Sequence, residues 1–284
     1  MNNSIYPCIW CNNNAREMAD CYCGIFPETR ISEENPLVVM LEMFGQKIML
    51  LNGGDIYKPN MTISLMFMAM VESEVEEIWD SLIQGGESIM ALDAYPFSRK
   101  YGWVQDKYNV SWQLYTARSP SHIIQKVVPT LMFTGAVNGR ATEAAQLYTS
   151  LFPHSEMRVM MHYDPSSGEP ATNVQHGEFM INDYLLMMMD SSLEFDFTFS
   201  EGMSIIVECN YQEEIDDYWS ILTSNGGEES RCGWLKDQFG ISWQLVPTQL
   251  DEWMSKSPKV MEELMKMNKP DLNILRKAAE TVNQ

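Results

Sequence analysis

The sequence is short of positive charge: 19 Lys and Arg stand against 39 Asp and Glu, a formal net charge of -20 at pH 7. Nucleic-acid binding draws most of its affinity from Lys and Arg meeting phosphates, so the balance argues against a nucleic-acid partner. Histidine is scarce too, with four in 284 residues, which leaves few imidazoles for a metal centre or for acid–base chemistry. No apolar run is long enough to span a bilayer. The opening residues MNNSIYPCIW lack the basic-then-apolar pattern of an export signal. These absences predict a cytoplasmic protein with no membrane partner. There is also no Walker loop, no G-x-S-x-G elbow and no H-E-x-x-H pair.

What is abundant is methionine, with 23 residues; Met fills irregular cores or makes adaptable ligand walls. Six Cys are present, and Cys8, Cys11, Cys21 and Cys23 have a spacing that faintly resembles a zinc site. Cys8 and Cys11 straddle the end of a strand pattern, however, while Cys21 and Cys23 lie roughly 200° apart around a helix. The reading is small buried thiols in a reducing compartment, with structural zinc the alternative.

The chain repeats itself. The stretch KYGWVQDKYNVSWQL (100 to 114) returns as RCGWLKDQFGISWQL (231 to 245), CYCGIFPETRI (21 to 31) as LYTSLFPHSEM (147 to 157), and EEIWDSLIQGG as DDYWSILTSNGG. The order is kept, so two homologous domains are predicted at 1–118 and 124–248, joined by ARSPSHIIQ and followed by a helical tail over 249–284. Each half reads strand, helix, strands, then strand, helix, strands. Asn14, Ser73 and Asn210, each followed three residues on by Glu, are the expected helix caps. Hairpins are expected to turn at Phe44-Gly45-Gln46 and Asn182-Asp183. In the tail, Ser257-Pro258 and Lys269-Pro270 read as helix starts.

The echoed stretch reads as a closing β-hairpin. Asp106 and Asp237 begin the turns through their side-chain acceptors, and Asn109 and Gly240 take the position that needs positive φ. In the returning strand Trp112 and Trp243 fall on one face, and Gln113 and Gln244 on the other. A polar residue among strand apolars either meets solvent or points into a lined cavity. The Trp residues can equally be core.

The motif G-G-x-E-x-x-R-C-G-W-L-K-D-x-F-G-x-S-W-Q (226 to 244), with Y-x-x-L-F-P (148 to 153), resembles the vicinal oxygen chelate superfamily. This is the glyoxalase, bleomycin-resistance and dioxygenase fold, and the match is to its PhnB-like, 3-demethylubiquinone-9 3-methyltransferase-like group. The first half shows the same plan with more drift. The resemblance implies an α+β fold: tandem glyoxalase-like domains, each of two βαβββ modules forming a curved half-barrel sheet. It also implies that metal-using relatives take ligands from the first and last strands of each module. Mapped approximately, those positions fall on Thr130, Met188, Ser204 and Gln244 in the second half, and on Cys8, Leu50 or its neighbours, Ser64 and Gln113 in the first. Such a set suits no hard or borderline divalent ion, so no metal and no cofactor are expected.

The leading expectation is a small, partly apolar ligand held by Arg231, Trp234, Trp243 and Gln244, with Trp103, Trp112 and Gln113 (and Arg99 beside them) at a degenerate partner site. The alternatives are a metal-assisted enzyme of the superfamily and the methyl transfer of the group's name. For methyl transfer no glycine-rich strand–turn–helix is present. Cys232, beside Arg231 and Lys236, is a further candidate as a nucleophilic thiolate. His176 and Glu178, two apart on one strand, share a face. The chain is expected as a monomer with an in-chain pseudo-dimer, or as a homodimer.

Overall fold

The computed structural model describes residues 4–280. Four βαβββ modules follow one another. The first is β1 (Ile5–Cys11), α1 (Ala15–Ile25), β2 (Thr29–Glu34), β3 (Val38–Met43) and β4 (Gln46–Asn52). The second is β5 (Ile63–Ala69), α2 (Glu72–Leu82), β6 (Glu87–Tyr95), β7 (Ser98–Gln105) and β8 (Ser111–Thr116). The third is β9 (Val127–Phe133), α3 (Ala141–Leu151), β10 (Glu156–His162), β11 (Val174–Ile181) and β12 (Tyr184–Asp190). The fourth is β13 (Met203–Cys209), α4 (Gln212–Leu222), β14 (Glu228–Glu229), β15 (Trp234–Lys236) and β16 (Ser242–Pro247). A tail of α5 (Leu250–Lys256), α6 (Lys259–Leu264) and α7 (Leu272–Glu280) completes the described chain. Residues 281–284, part of the expected tail, lie outside it.

Strands β5 to β12 form one eight-stranded sheet. The chain divides into a compact unit of residues 7–203 and a second of residues 204–280 with 4–6. That sheet lies wholly in the first unit, in the order β10-β11-β12-β9-β5-β8-β7-β6. Its centre is the antiparallel pair β5–β9, in which Ser64 opposes Thr130 and Met66 opposes Val128. Parallel pairings flank it, β5 with β8 and β12 with β9. This sheet takes one module from each half of the sequence repeat. Every residue of β5 and β9 is buried, so both strands need covered faces and neighbours on each side. The link from β8 to β9, residues 117–126, is short enough to bring them together. The first unit also holds the run β1-β4-β3-β2, and the second unit the run β14-β15-β16-β13.

The hairpins turn where expected. Phe44 and Gly45 (φ 51° and 76°) and Asn182 and Asp183 (φ 50° and 61°) occupy the left-handed region that two-residue hairpin loops use. The helix caps differ from the sequence reading. Asn14 makes no side-chain cap; instead Asn52 Oδ1, at the end of β4, accepts the Ala15 N–H at 3.0 Å. In the third module Asp190, at the end of β12, plays the same part and accepts from Gly139 N (2.8 Å) and Ala141 N (3.2 Å). Helix α2 begins at Glu72, before Ser73, because only two residues separate it from β5. At α4 the reciprocal bond comes from Glu214, not Glu213: its Oε2 accepts Asn210 N at 2.6 Å.

In the second unit the tail helices pack on one another through Val260, Leu264, Leu275, Ala278 and Ala279, with Cys232 and Trp253 against them. Main-chain bonds fasten the loop before β15 to the tail: Cys232 N to Met267 O (3.0 Å) and Gly233 N to Asn268 O (2.8 Å). Pro258 starts α6 as expected. Helix α7 starts not at Pro270 but at Leu272, where Asp271 Oδ1 accepts the N–H groups of Asn273 and Ile274. A carboxylate cap satisfies two of the end's free donors, which proline cannot do.

Candidate functional site

The echoed hairpin has two chemically distinct sides. On the helix side, Asp106 Oδ1 accepts the N–H groups of Tyr108 and Val110 at 2.9 Å each, which holds the turn, and Asn109 has φ 65°. Its other oxygen accepts from Trp112 Nε1 (3.1 Å) and from the Tyr22 hydroxyl (2.6 Å) of α1. Trp112 lies against Phe26 and Tyr22, with ring centroids 4.6 and 5.4 Å away. In the second unit Asp237 repeats the pattern, accepting from Phe239 N, Ile241 N and Trp243 Nε1 (2.8 Å), and Gly240 takes the positive φ. The D-x5-W spacing of the motif is therefore a buried structural network. Trp112 and Trp243, expected at the ligand site, belong to the helix-side core. Strand alternation puts them opposite the Gln residues.

The other side of the first unit's sheet is the candidate site. Gly102 marks which face is which: a Cβ there would fall 2.6 Å from the ring of Trp79 in α2, so Gly102 faces the helix and its neighbours Tyr101 and Trp103 face away. On this inner face Met66, Met68, Tyr101, Trp103, Val128, Met132, Leu185 and Met187 form one cluster. Phe195 and Phe197, stacked on each other at 4.8 Å in the loop after β12, pack against it. The polar groups among them are bonded in sequence: Tyr101 OH to Gln113 Oε1 (2.7 Å), and Gln113 Nε2 to Ser64 Oγ (2.7 Å). Trp103 Nε1 donates to Ser111 Oγ at 2.6 Å. Thr130 Oγ1 is buried without a hydrogen-bond partner.

The second unit keeps part of this set. Trp234 and Gln244 are cross-strand partners, and Gln244 Nε2 donates to Ser204 Oγ at 2.9 Å. Arg231 is exposed and precedes β15. Arg99 pairs outward, with Glu72 at 3.5 Å. Burial pushes the Cys232 thiol up, and Arg231 only partly offsets this; the thiol stays protonated, contrary to a nucleophile's need. Sequence reasoning missed Met66, Tyr101 and Met187. The alternation of β5 and β12 was the signal, but it does not say which face is covered by helices.

A metal site of the superfamily kind would draw on Ser64, Gln113, Thr130 and a residue of β12. That residue is Met187, the partner of Thr130, and not Met188, which pairs with Leu131 and Gly177 on the helix side. Two hydroxyls, an amide and a thioether do not supply the carboxylates and imidazoles that a hard or borderline divalent ion takes. Among the described residues no three His, Cys, Asp or Glu side chains are grouped to hold an ion. His176 Nε2 lies 3.1 Å from Glu178 Oε1, so these two engage each other.

The paired βαβββ modules and their curved sheets define an α+β glyoxalase fold, here in tandem. Glyoxalase I from Zea mays has the same fold, with a TM-score of 0.58 at 12% identity over 88% of this chain and 94% of that one. A mutant of the same maize protein gives 0.59 at 11% identity, over 92% and 97%. More narrowly, the model of the family 3-demethylubiquinone-9 3-methyltransferase matches residues 3–115 and again 125–246, and the chain belongs to that family. A putative 3-demethylubiquinone-9 3-methyltransferase, PhnB protein, from Bacillus cereus is 29% identical over 39% of this chain and 96% of its own, with a TM-score of 0.34. No curated protein matches the chain. No helix among the described residues is long and apolar enough to cross a membrane.

Proposed function

We propose that the inner face of the first unit's sheet receives a small, partly apolar molecule, held by Trp103, Met66, Met132 and Met187 and oriented by Gln113 and Ser64. The observation that carries this reading is a contrast between the faces of the same strands. On β5 and β7, Leu65, Phe67 and Val104 of the helix side are 0% exposed, while Met66 and Trp103 of the inner side keep 8% and 7%; Val128 and Leu185, on the inner side of β9 and β12, are closed at 0% and 1%. Adaptable thioethers and an indole around a few placed polar groups are the usual lining of a small-molecule site. The Trp234–Gln244–Ser204 group of the second unit retains the same elements and is the lesser candidate. No metal is needed by this reading, since the donors at the superfamily's ligand positions are neutral.

Methyl transfer, which the family's name carries, finds no support at the glycines. After β4 a Cβ on Gly53 would fall 2.1 Å from the Trp10 indole, and Trp10 Nε1 donates to Gly54 O at 2.9 Å. These glycines close on a side chain and do not open a phosphate-cradling helix.

Intrinsic tryptophan fluorescence during a small-molecule screen tests the proposal. A ligand should change the emission of the wild type, and Trp103→Phe should remove most of that change. A ligand that binds measurably yet leaves Trp103 unaffected contradicts it.

A further inference from the structure

The polar groups of the inner face are bonded in one direction. Tyr101 donates to Gln113, and Gln113 donates to Ser64. Burial holds the Tyr101 hydroxyl well above the ordinary phenol value, so it keeps its proton and remains a donor. Because Ser64 Oγ accepts from Gln113, its own hydrogen is left to donate onward. Across the central strand pair Ser64 opposes Thr130, and Cβ atoms of such a pair lie about 4.5–5.5 Å apart. Thr130 is 3% exposed, and its hydroxyl has no partner. A buried hydroxyl is costly to leave unpaired. The two hydroxyls therefore stand on neighbouring strands among Met66, Met132 and Met187, each with a hydrogen that no described acceptor takes.

We infer that Ser64 and Thr130 are a two-donor anchor for the carbonyl oxygen of an uncharged, otherwise apolar ligand, of the ketone class. The inference rests on the inner face being a ligand site and adds the group that the ligand must carry. The charge of the ligand follows from the row of residues across the sheet. Glu178 opposes Met187, Met187 opposes Thr130, and Thr130 opposes Ser64. A carboxylate ligand would find only the neutral hydroxyls of Ser64 and Thr130 to receive its charge, while the nearest acidic group in that row, Glu178, is two strands away and faces His176 at 3.1 Å. A carbonyl oxygen carries two lone pairs and takes both donors at once.

The test compares two probes of nearly the same shape, 2-acetylnaphthalene and 2-isopropylnaphthalene, titrated into the full chain labelled with [13C-methyl]methionine. Both should move the Met66, Met132 and Met187 methyl signals, with the ketone about tenfold tighter. Thr130→Val should weaken the ketone about tenfold and leave the hydrocarbon unchanged, while Thr130→Ser should keep the preference. Equal affinities on the wild type would overturn the anchor and leave the ligand site standing. So would a ketone preference that survives Thr130→Val combined with Ser64→Ala. If neither probe moves these methyls, both the anchor and the ligand-site reading fall.

Discussion

The indole nitrogen of Trp112 donates to Asp106 Oδ2 over 3.1 Å, six residues back along the same hairpin, and Trp243 makes the same bond to Asp237 at 2.8 Å. Asp106 accepts four hydrogen bonds in all, two from the backbone and two from side chains. Asn in its place turns one acceptor into a donor facing the Trp112 N–H and the Tyr22 hydroxyl. Asp106→Asn is expected to lower stability by about 2–4 kcal/mol in urea denaturation. Lys107→Ala, at an exposed position in the same turn, should change it by less than about 0.5 kcal/mol.

Asp190 ties the start of α3 to the sheet, since its oxygens accept from Gly139, Ala141 and Val174. Asp190→Ala leaves two main-chain donors unsatisfied at the start of α3 and a third, Val174 N, at the start of β11, and a loss of about 2–3 kcal/mol is expected. Amide exchange at Gly139 and Ala141 should quicken more than at the centre of α3. Uniform exchange along the helix would show that the cap is not local.

Much of this architecture was legible in the sequence, and the exceptions share a cause. The turns at Phe44-Gly45 and Asn182-Asp183 and the Asp106 and Asp237 hairpins depend on residues within a few positions of one another, which local chemistry decides. Asn52 capping α1 joins residues 37 apart in the chain, and β5 pairing with β9 joins the two halves of the repeat. Nothing within a short window encodes either. The candidate site divides the same way. Alternation separated Gln113 from Trp112, but only the helices, through Trp79 against Gly102, decide which side is inner. Strand β2, with the pattern TRISEE and mostly exposed, lacks the apolar alternation that would have marked it.

Cys11 supplies a pH dependence. Burial, with Cys8 adding to it, pushes its thiol up to about 12 from an ordinary value of 9.0. The folded chain therefore holds this proton more tightly than the unfolded one. Its stabilising contribution is complete below pH 9 and is lost as pH rises from there through the folded value. Between pH 9 and 10.5 the wild type should lose stability more steeply than Cys11→Ala, by at most about 1.4 kcal/mol per pH unit. Parallel curves would refute the shift. Iodoacetamide at pH 8 should also label Cys11 far more slowly than an exposed thiol.

The neutral donors Ser64, Gln113, Thr130 and Met187 predict indifference to metals. Thermal unfolding midpoints should agree within about 1 °C after chelator treatment and after addition of Zn, Ni or Mn. For a domain of this size a tightly held ion stabilises by several kcal/mol, and its removal shifts the midpoint by several degrees. A shift of that size would restore the metal-assisted reading.

The central claim is that the inner face of the first unit's sheet is a place for a guest, and a crystal structure of protein taken directly from cells tests it most directly. The account predicts electron density for a small molecule against Met66, Trp103 and Met187, with an oxygen within hydrogen-bond distance of Ser64 or Thr130. Crystals of such protein with no density for a molecule against these residues would contradict it.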